Sequence, residues 1–261
     1  MSAKRVDEPP HLCADLRALK LPTIGSQWQR LAAIAAKERQ PHPEYLADLM
    51  HLELTDRTER RIQRRIKEAR FPSLRTLDGF DFTAQPQLDR EQILDLARSD
   101  FVKERSNVIL IGEVGTGKTH LATALAMAAC QRGYRTLFTT SAGICTALVE
   151  AKADDRLSRK MAQLARFDLV VLDELGYVPF DRVGADLLFG FIARMYEQRS
   201  LIVTTNLPFS RWNEVFLDAT AAAAVIDRVA HHATILKTEG KSYRLREAQA
   251  KQASEKTKST A

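Results

Sequence analysis

The chain has 261 residues, 45% of them hydrophobic and 28% charged, with a formal charge of +6, the composition of a soluble globular protein with ample core. No apolar run approaches the roughly 18–20 residues of a membrane helix, and Met1–Pro10 lacks the apolar stretch of a signal peptide, so a cytoplasmic protein with no membrane contact is expected. The three cysteines, Cys13, Cys130 and Cys145, are odd in number and show no C-x-x-C spacing, which suggests neither a disulfide framework nor a zinc cluster.

From Leu12 to about Arg70 the apolar residues recur at helical intervals, and Pro22, Pro41 and Pro43 are expected to cut the segment into short helices. In the last of these, Ile62, Ile66 and Ala69 form one apolar stripe. Arg57, Arg60, Arg61, Arg64 and Lys67 project from the opposite side. Between Asp56 and Arg75 there are eight basic residues against three acidic ones, so this stretch holds nearly the whole charge excess. Seven of the eight are arginine, whose planar fork suits phosphate, and the five named cations are read as a contact surface for a nucleic-acid phosphate backbone. A solvated helix face is the plainer alternative. Phe71-Pro72 ends the helix, the stretch to Leu88 reads as a linker, and Asp89 caps a helix reaching about Val102.

Asn107–Ile111 is a buried-type strand, followed by Gly112-Glu113-Val114-Gly115-Thr116-Gly117-Lys118-Thr119 and an apolar helix over 118–131 that stops at Gly133. Strand, glycine-rich turn and helix with G-x-x-x-x-G-K-[ST] spacing make a phosphate-binding loop. The residues from Gly112 to His120 are its predicted nucleotide contacts. Successive backbone N–H groups can face phosphate oxygens, Lys118 supplies a point charge, and Thr119 offers a hydroxyl to Mg²⁺. The predicted nucleotide is ATP.

Strands and helices then alternate. Strands fall at 135–140, 168–173, 201–205 and 234–236, with helical stretches at 142–151, 156–165, 182–198, 210–216 and 219–230. The strands are near-continuous apolar runs, as in a doubly wound parallel sheet covered on both faces. The fold predicted is therefore α/β, a five-stranded parallel core with a small all-helical N-terminal domain. Its domains are 1–72, 73–247 and a polar, low-complexity tail over 248–261.

Asp173 and Glu174 end the third strand, at the rim where ligands bind. Asp173 is read as a Mg²⁺ ligand beside Thr119, and Glu174 as the group that orients the attacking water. Asn206 ends a strand expected to lie between the two motif strands, within reach of the γ-phosphate. Arg228 is read either as a surface ion pair or as an arginine that reaches a neighbouring subunit's nucleotide. His231-His232 is the only histidine pair, and rings at adjacent helical positions diverge by about 100°, so no shared metal is expected.

Gly112–His120, Asp173-Glu-Leu-Gly-Tyr-Val-Pro179, Thr204-Thr-Asn-Leu-Pro-Phe209 and Asp227-Arg-Val-Ala-His-His232 together resemble, in order, the IstB-like transposition helper ATPases. These belong to the AAA+ class and are related to DnaC-like helicase loaders. The likeness covers most of the chain, from Leu19 onward. It implies an ATPase that assembles as a homo-oligomer on duplex DNA and works with the transposase of the same mobile element. It also makes Asn206 a first sensor and Arg228 an arginine finger acting in trans. A DnaC-like loader serving a replicative helicase is the alternative. A small-molecule kinase would have no use for the basic N-terminal helices. A second sensor arginine is not assigned, Arg244 being the weak candidate.

Overall fold

In the computed structural model, residues 11–240, Ser242 and Tyr243 are described. The expectations for the first ten residues, Arg244 and the polar tail fall outside them. The chain divides into two compact units, one up to Arg64 and the other from Arg65 onward.

The first unit is helical: α1 is Leu12–Ala18, α2 is Pro22–Glu38, and α3 begins at His42 and runs to Ala69. The breaks between helices fall at the prolines as expected, but the pieces are longer than the short helices anticipated. Pro22 takes the first position of α2, and Pro43 lies in the first turn of α3, where a missing N–H costs nothing. α3 then continues for 28 residues with no break. Leu16, Ile24, Trp28 and Leu49 form the unit's core. The buried Glu53 carboxylate on α3 accepts the Thr23 and Ile24 N–H groups at 2.9 and 3.0 Å, so it caps α2 from another helix.

The second unit holds a five-stranded, all-parallel sheet. Its strands are β1 (Asn107–Gly112), β2 (Thr136–Thr140), β3 (Leu169–Leu175), β4 (Ser200–Thr205) and β5 (Ala233–Thr238), in the spatial order β2-β3-β4-β1-β5. As expected, β4 lies between β1 and β3. Alternate strand residues feed two apolar layers. Ile109, Val170, Leu172 and Val203 join one, and Val108, Leu110, Val171 and Ile202 join the other. Helices cover both faces: α6 (Lys118–Gln131), α7 (Ser141–Ala153), α8 (Leu157–Leu164), α9 (Arg182–Met195), α10 (Asn213–Phe216) and α11 (Ala219–Ala230). Ahead of the sheet, Asp89 caps α4 (Arg90–Ala97) through the Glu91 and Gln92 N–H groups. The single helix expected to Val102 is broken, because Ser99 adopts a left-handed φ of 62° before α5 (Asp100–Lys103).

α6 stops ahead of Gly133, whose φ of 92° lets its N–H and that of Tyr134 turn back to the Cys130 and Ala129 carbonyls. Cys130 is fully buried, and burial pushes its thiol up from the ordinary range. The histidine rings do not diverge as expected. His231 caps α11 with helical dihedrals and still donates its N–H to the Asp227 carbonyl at 3.0 Å, and the two rings lie with centroids 4.1 Å apart. Among the described residues no helix is long and apolar enough to cross a membrane.

Candidate nucleotide site

Because β1, β3 and β4 are parallel neighbours, their C-terminal ends open side by side, and the predicted site residues gather there. At the end of β1, Gly112 passes so close to β5 that a Cβ would lie 2.0 Å from the Thr238 carbonyl oxygen. Gly117 has a φ of 96°, a conformation open to glycine, and its α-carbon faces the Phe80 ring. α6 starts at Lys118, so its first N–H groups point into the loop. The Lys118 ammonium turns back into the mouth of the loop and donates to the Gly112 and Glu113 carbonyls, both at 2.7 Å.

The Thr119 hydroxyl donates to Asp173 Oδ1 at 3.1 Å, so the structure brings together the two residues predicted to share Mg²⁺. Asp173 is buried. A hydroxyl beside a buried carboxylate is an oxygen donor set, the kind a hard divalent cation takes, and these residues fit Mg²⁺. One residue on, β3 carries one more residue than β4 between Leu172 and Leu175, and Glu174 adopts a left-handed φ of 60° within that bulge. The bulge turns the Glu174 side chain out of the sheet, where it is exposed and lines the cavity. Backbone held this way in a non-glycine residue stores strain at the site.

Asn206 follows β4 and lines the same cavity, which has a volume of about 290 Å³. Its Oδ1 is buried and has no hydrogen-bond partner among the described residues. A buried acceptor left open costs free energy, which a bound donor would recover.

Three contributions escaped the sequence reading. Thr204 is buried beneath the site, where it donates to Asp173 Oδ1 at 2.5 Å and accepts the Glu174 N–H at 2.9 Å. Its only sequence signal was a Thr-Thr pair closing an apolar strand. The stretch read as a linker supplies Gly79, Phe80 and Gln85 to the cavity wall. Phe80 packs edge-on against His120, whose Nε2 is 2.9 Å from the Thr76 carbonyl. Finally, Tyr243 lines the cavity, and its N–H donates to the Gly115 carbonyl at 2.9 Å.

A phosphate loop, an Asp-Glu strand end and a sensor-like Asn on adjacent parallel strands make a nucleotide site of the P-loop kind. The sequence pattern of the family described as IstB-like ATP binding protein matches residues 14–251. The chain belongs to that family. An insertion sequence IS21 putative ATP-binding protein of Pseudomonas aeruginosa is 40% identical over 89% of this chain and 88% of its own length. An insertion sequence IS5376 putative ATP-binding protein of Geobacillus stearothermophilus is 37% identical over 88% of this chain and 91% of its own. Among solved structures, AMPPCP-bound DnaA from Aquifex aeolicus superposes with a TM-score of 0.56 at 19% identity, covering 70% of this chain and 56% of that one. A DnaC helicase loader superposes at 0.50 with 22% identity, over 57% of this chain and 86% of that one. At these identities the structures speak to the fold alone, which is an α/β P-loop core.

Arg228 does not line the cavity. It is half-buried on α11, donates to the Ala224 carbonyl at 2.9 Å, and stacks over the Phe189 ring at 5.3 Å. The five cations assigned to DNA are all exposed on α3, but not equally available. Arg57 donates to the Lys20 carbonyl at 2.6 Å and pairs with Glu53. Arg60 pairs with Asp56 at 2.5 Å, and Asp56 in turn accepts the Thr23 hydroxyl. These two arginines therefore help hold the start of α2, whereas Arg61, Arg64 and Lys67 make no such tether among the described residues.

Proposed function

We propose that this protein is an ATP-hydrolysing transposition helper that assembles on duplex DNA and recruits or stimulates the transposase of its own mobile element. The observation that carries the ATPase part is the meeting of Thr119 and Asp173 at 3.1 Å beneath the phosphate loop. The names of the family's relatives, ATP-binding proteins of insertion sequences, support the part concerning transposition.

In this reading the loop from Gly112 to His120 cradles the phosphates of ATP, and Lys118 exchanges its two carbonyl partners for phosphate oxygens. Thr119 and Asp173 hold Mg²⁺, which when bound neutralises phosphate charge. Glu174 orients the attacking water as general base, and Asn206 turns its amide toward that water and the γ-phosphate. Arg228 acts in trans, on nucleotide bound by a neighbouring copy, which makes the working form a homo-oligomer with shared sites. The cations of α3 meet DNA phosphates with little regard to sequence.

The test is ATP turnover by the full chain with and without duplex DNA, alongside capture of its own transposase or of a replicative helicase. Turnover raised by duplex DNA together with transposase capture is expected. Capture of the helicase alone would favour the loader reading, and absence of turnover under all conditions would overturn the ATPase assignment.

A further inference from the structure

Asn107 opens β1, is buried, and spends its side chain on other segments' backbone. Its Nδ2 donates to the Val229 carbonyl and its Oδ1 accepts the Leu201 N–H, each at 2.9 Å. Its own N–H donates to the His232 carbonyl at 2.7 Å. The backbone on both sides of His231 is thus fastened to the sheet. Facing the histidines is Glu197, in the turn between α9 and β4, with a left-handed φ of 54° and its carbonyl held by the Arg105 guanidinium at 3.0 Å. One ligating atom each from Glu197, His231 and His232 lies within 4.8 Å of the other two. The Tyr196 hydroxyl, 3.0 Å from His231 Nδ1, orients that ring from the neighbouring position.

We propose that Glu197, His231 and His232 form a binding site for a divalent transition-metal ion of the zinc type. Two imidazoles and one carboxylate are a ligand set Zn²⁺ accepts in tetrahedral geometry, with a fourth position left to water. Mg²⁺ favours oxygen ligands alone, so the site is chemically distinct from the Thr119–Asp173 pair. The anchoring through Asn107, Arg105 and Tyr196 is what outer partners of metal sites do: the ligands are positioned before an ion arrives. All three ligands are exposed, so an ion reaches them without opening the fold. Once bound, it would cross-link the end of the helix carrying Arg228 to the α9–β4 turn.

The experiment uses the full chain with no added histidine tag, stripped with EDTA and titrated calorimetrically with Zn²⁺ alone, with thermal melting in parallel. Binding of one Zn²⁺ per chain at this site is expected, with a rise in melting temperature by mass action. His232→Ala and Glu197→Gln should each weaken that binding by about tenfold or more and remove the rise in melting temperature. Both substitutions alter exposed side chains, so melting without zinc should match the unsubstituted protein and report correct folding. Co²⁺ should give tetrahedral visible bands that both variants lose. Absence of zinc binding at concentrations up to ~100 μM, where a site of useful affinity fills, would overturn the proposal. So would binding that survives either substitution, which would put the ion on other groups such as Cys13.

Discussion

Thr204 and Asp173 are joined through one short hydrogen bond, the hydroxyl donating to Oδ1 at 2.5 Å, and the same hydroxyl oxygen accepts the Glu174 N–H. A single β4 side chain therefore fixes both carboxylate residues of β3. Thr204→Val keeps the shape and removes both bonds. We expect kcat to fall by about tenfold, from misplaced Asp173 and Glu174, with ATP affinity little changed and Thr204→Ser restoring most of the rate. Equal rates for the Val and Ser variants would make Thr204 a packing residue only.

Lys118 and Glu174 should separate binding from chemistry. Lys118→Ala removes the compact cation at the phosphates and is expected to weaken nucleotide binding strongly. Glu174→Gln should bind ATP normally and hydrolyse it about 10²–10⁴-fold more slowly. Measuring nucleotide affinity by fluorescence titration beside turnover distinguishes them, and an equal affinity loss in both would remove Glu174 from its role.

Stacked on Phe189 of α9 and bonded to Ala224 of its own helix, Arg228 has a resting place between the two helices. Arg228→Ala is expected to lower turnover by about 10³-fold while sparing nucleotide affinity. Mixing Arg228→Ala with Glu174→Gln protein should restore activity, because one class of interface then has both groups intact. If the two variants co-assemble and the mixture stays inactive, the arginine works in cis.

For DNA, the tethers of Arg57 and Arg60 decide which substitutions are informative. Arg61→Ala, Arg64→Ala and Lys67→Ala together should weaken binding alike on unrelated duplexes and reduce the log–log salt slope by about one unit per lost contact. Far-ultraviolet dichroism should remain that of the native protein. Unchanged affinity and slope would return α3 to a solvated face and shift attention to Lys152, Arg156, Arg159 and Lys160.

Glu53 is the stability counterpart. Glu53→Ala strands two backbone N–H groups at the start of α2 and removes Arg57's partner, a loss of about 2 kcal/mol or more for the first unit. Amide hydrogen exchange should quicken in peptides from residues 12–38 and stay unchanged in those from β1 and β3. Unaltered exchange in 12–38 would show that solvent replaces the cap.

The strand–loop–helix around Lys118 and the Asp-Glu strand end were readable because each is written in contiguous residues whose spacing the chemistry constrains, and the place of β4 followed from the usual strand order of such folds. The rest was hidden for identifiable reasons. Prolines look the same in sequence whether they end a helix or begin one, and at Pro22 and Pro43 they begin one. A threonine in an apolar strand reads as a β-former, so nothing marked Thr204 as a brace. Phe80 and Tyr243 reach the cavity from opposite ends of the second unit, a proximity that no local pattern encodes. That the His231 and His232 rings approach each other depends on side-chain rotamers, which the sequence does not encode.

Gly112 carries a practical consequence for genetics. The atom that a mutation to alanine would add occupies space already held by the Thr238 carbonyl oxygen, on the strand that closes the sheet's edge. That substitution is expected to destabilise the sheet edge and lower the amount of folded protein, so the allele should approach a deletion in phenotype. Lys118, whose side chain ends in the loop's mouth, is the position at which nucleotide binding can be removed while the protein persists, and dominant-negative behaviour should be sought there.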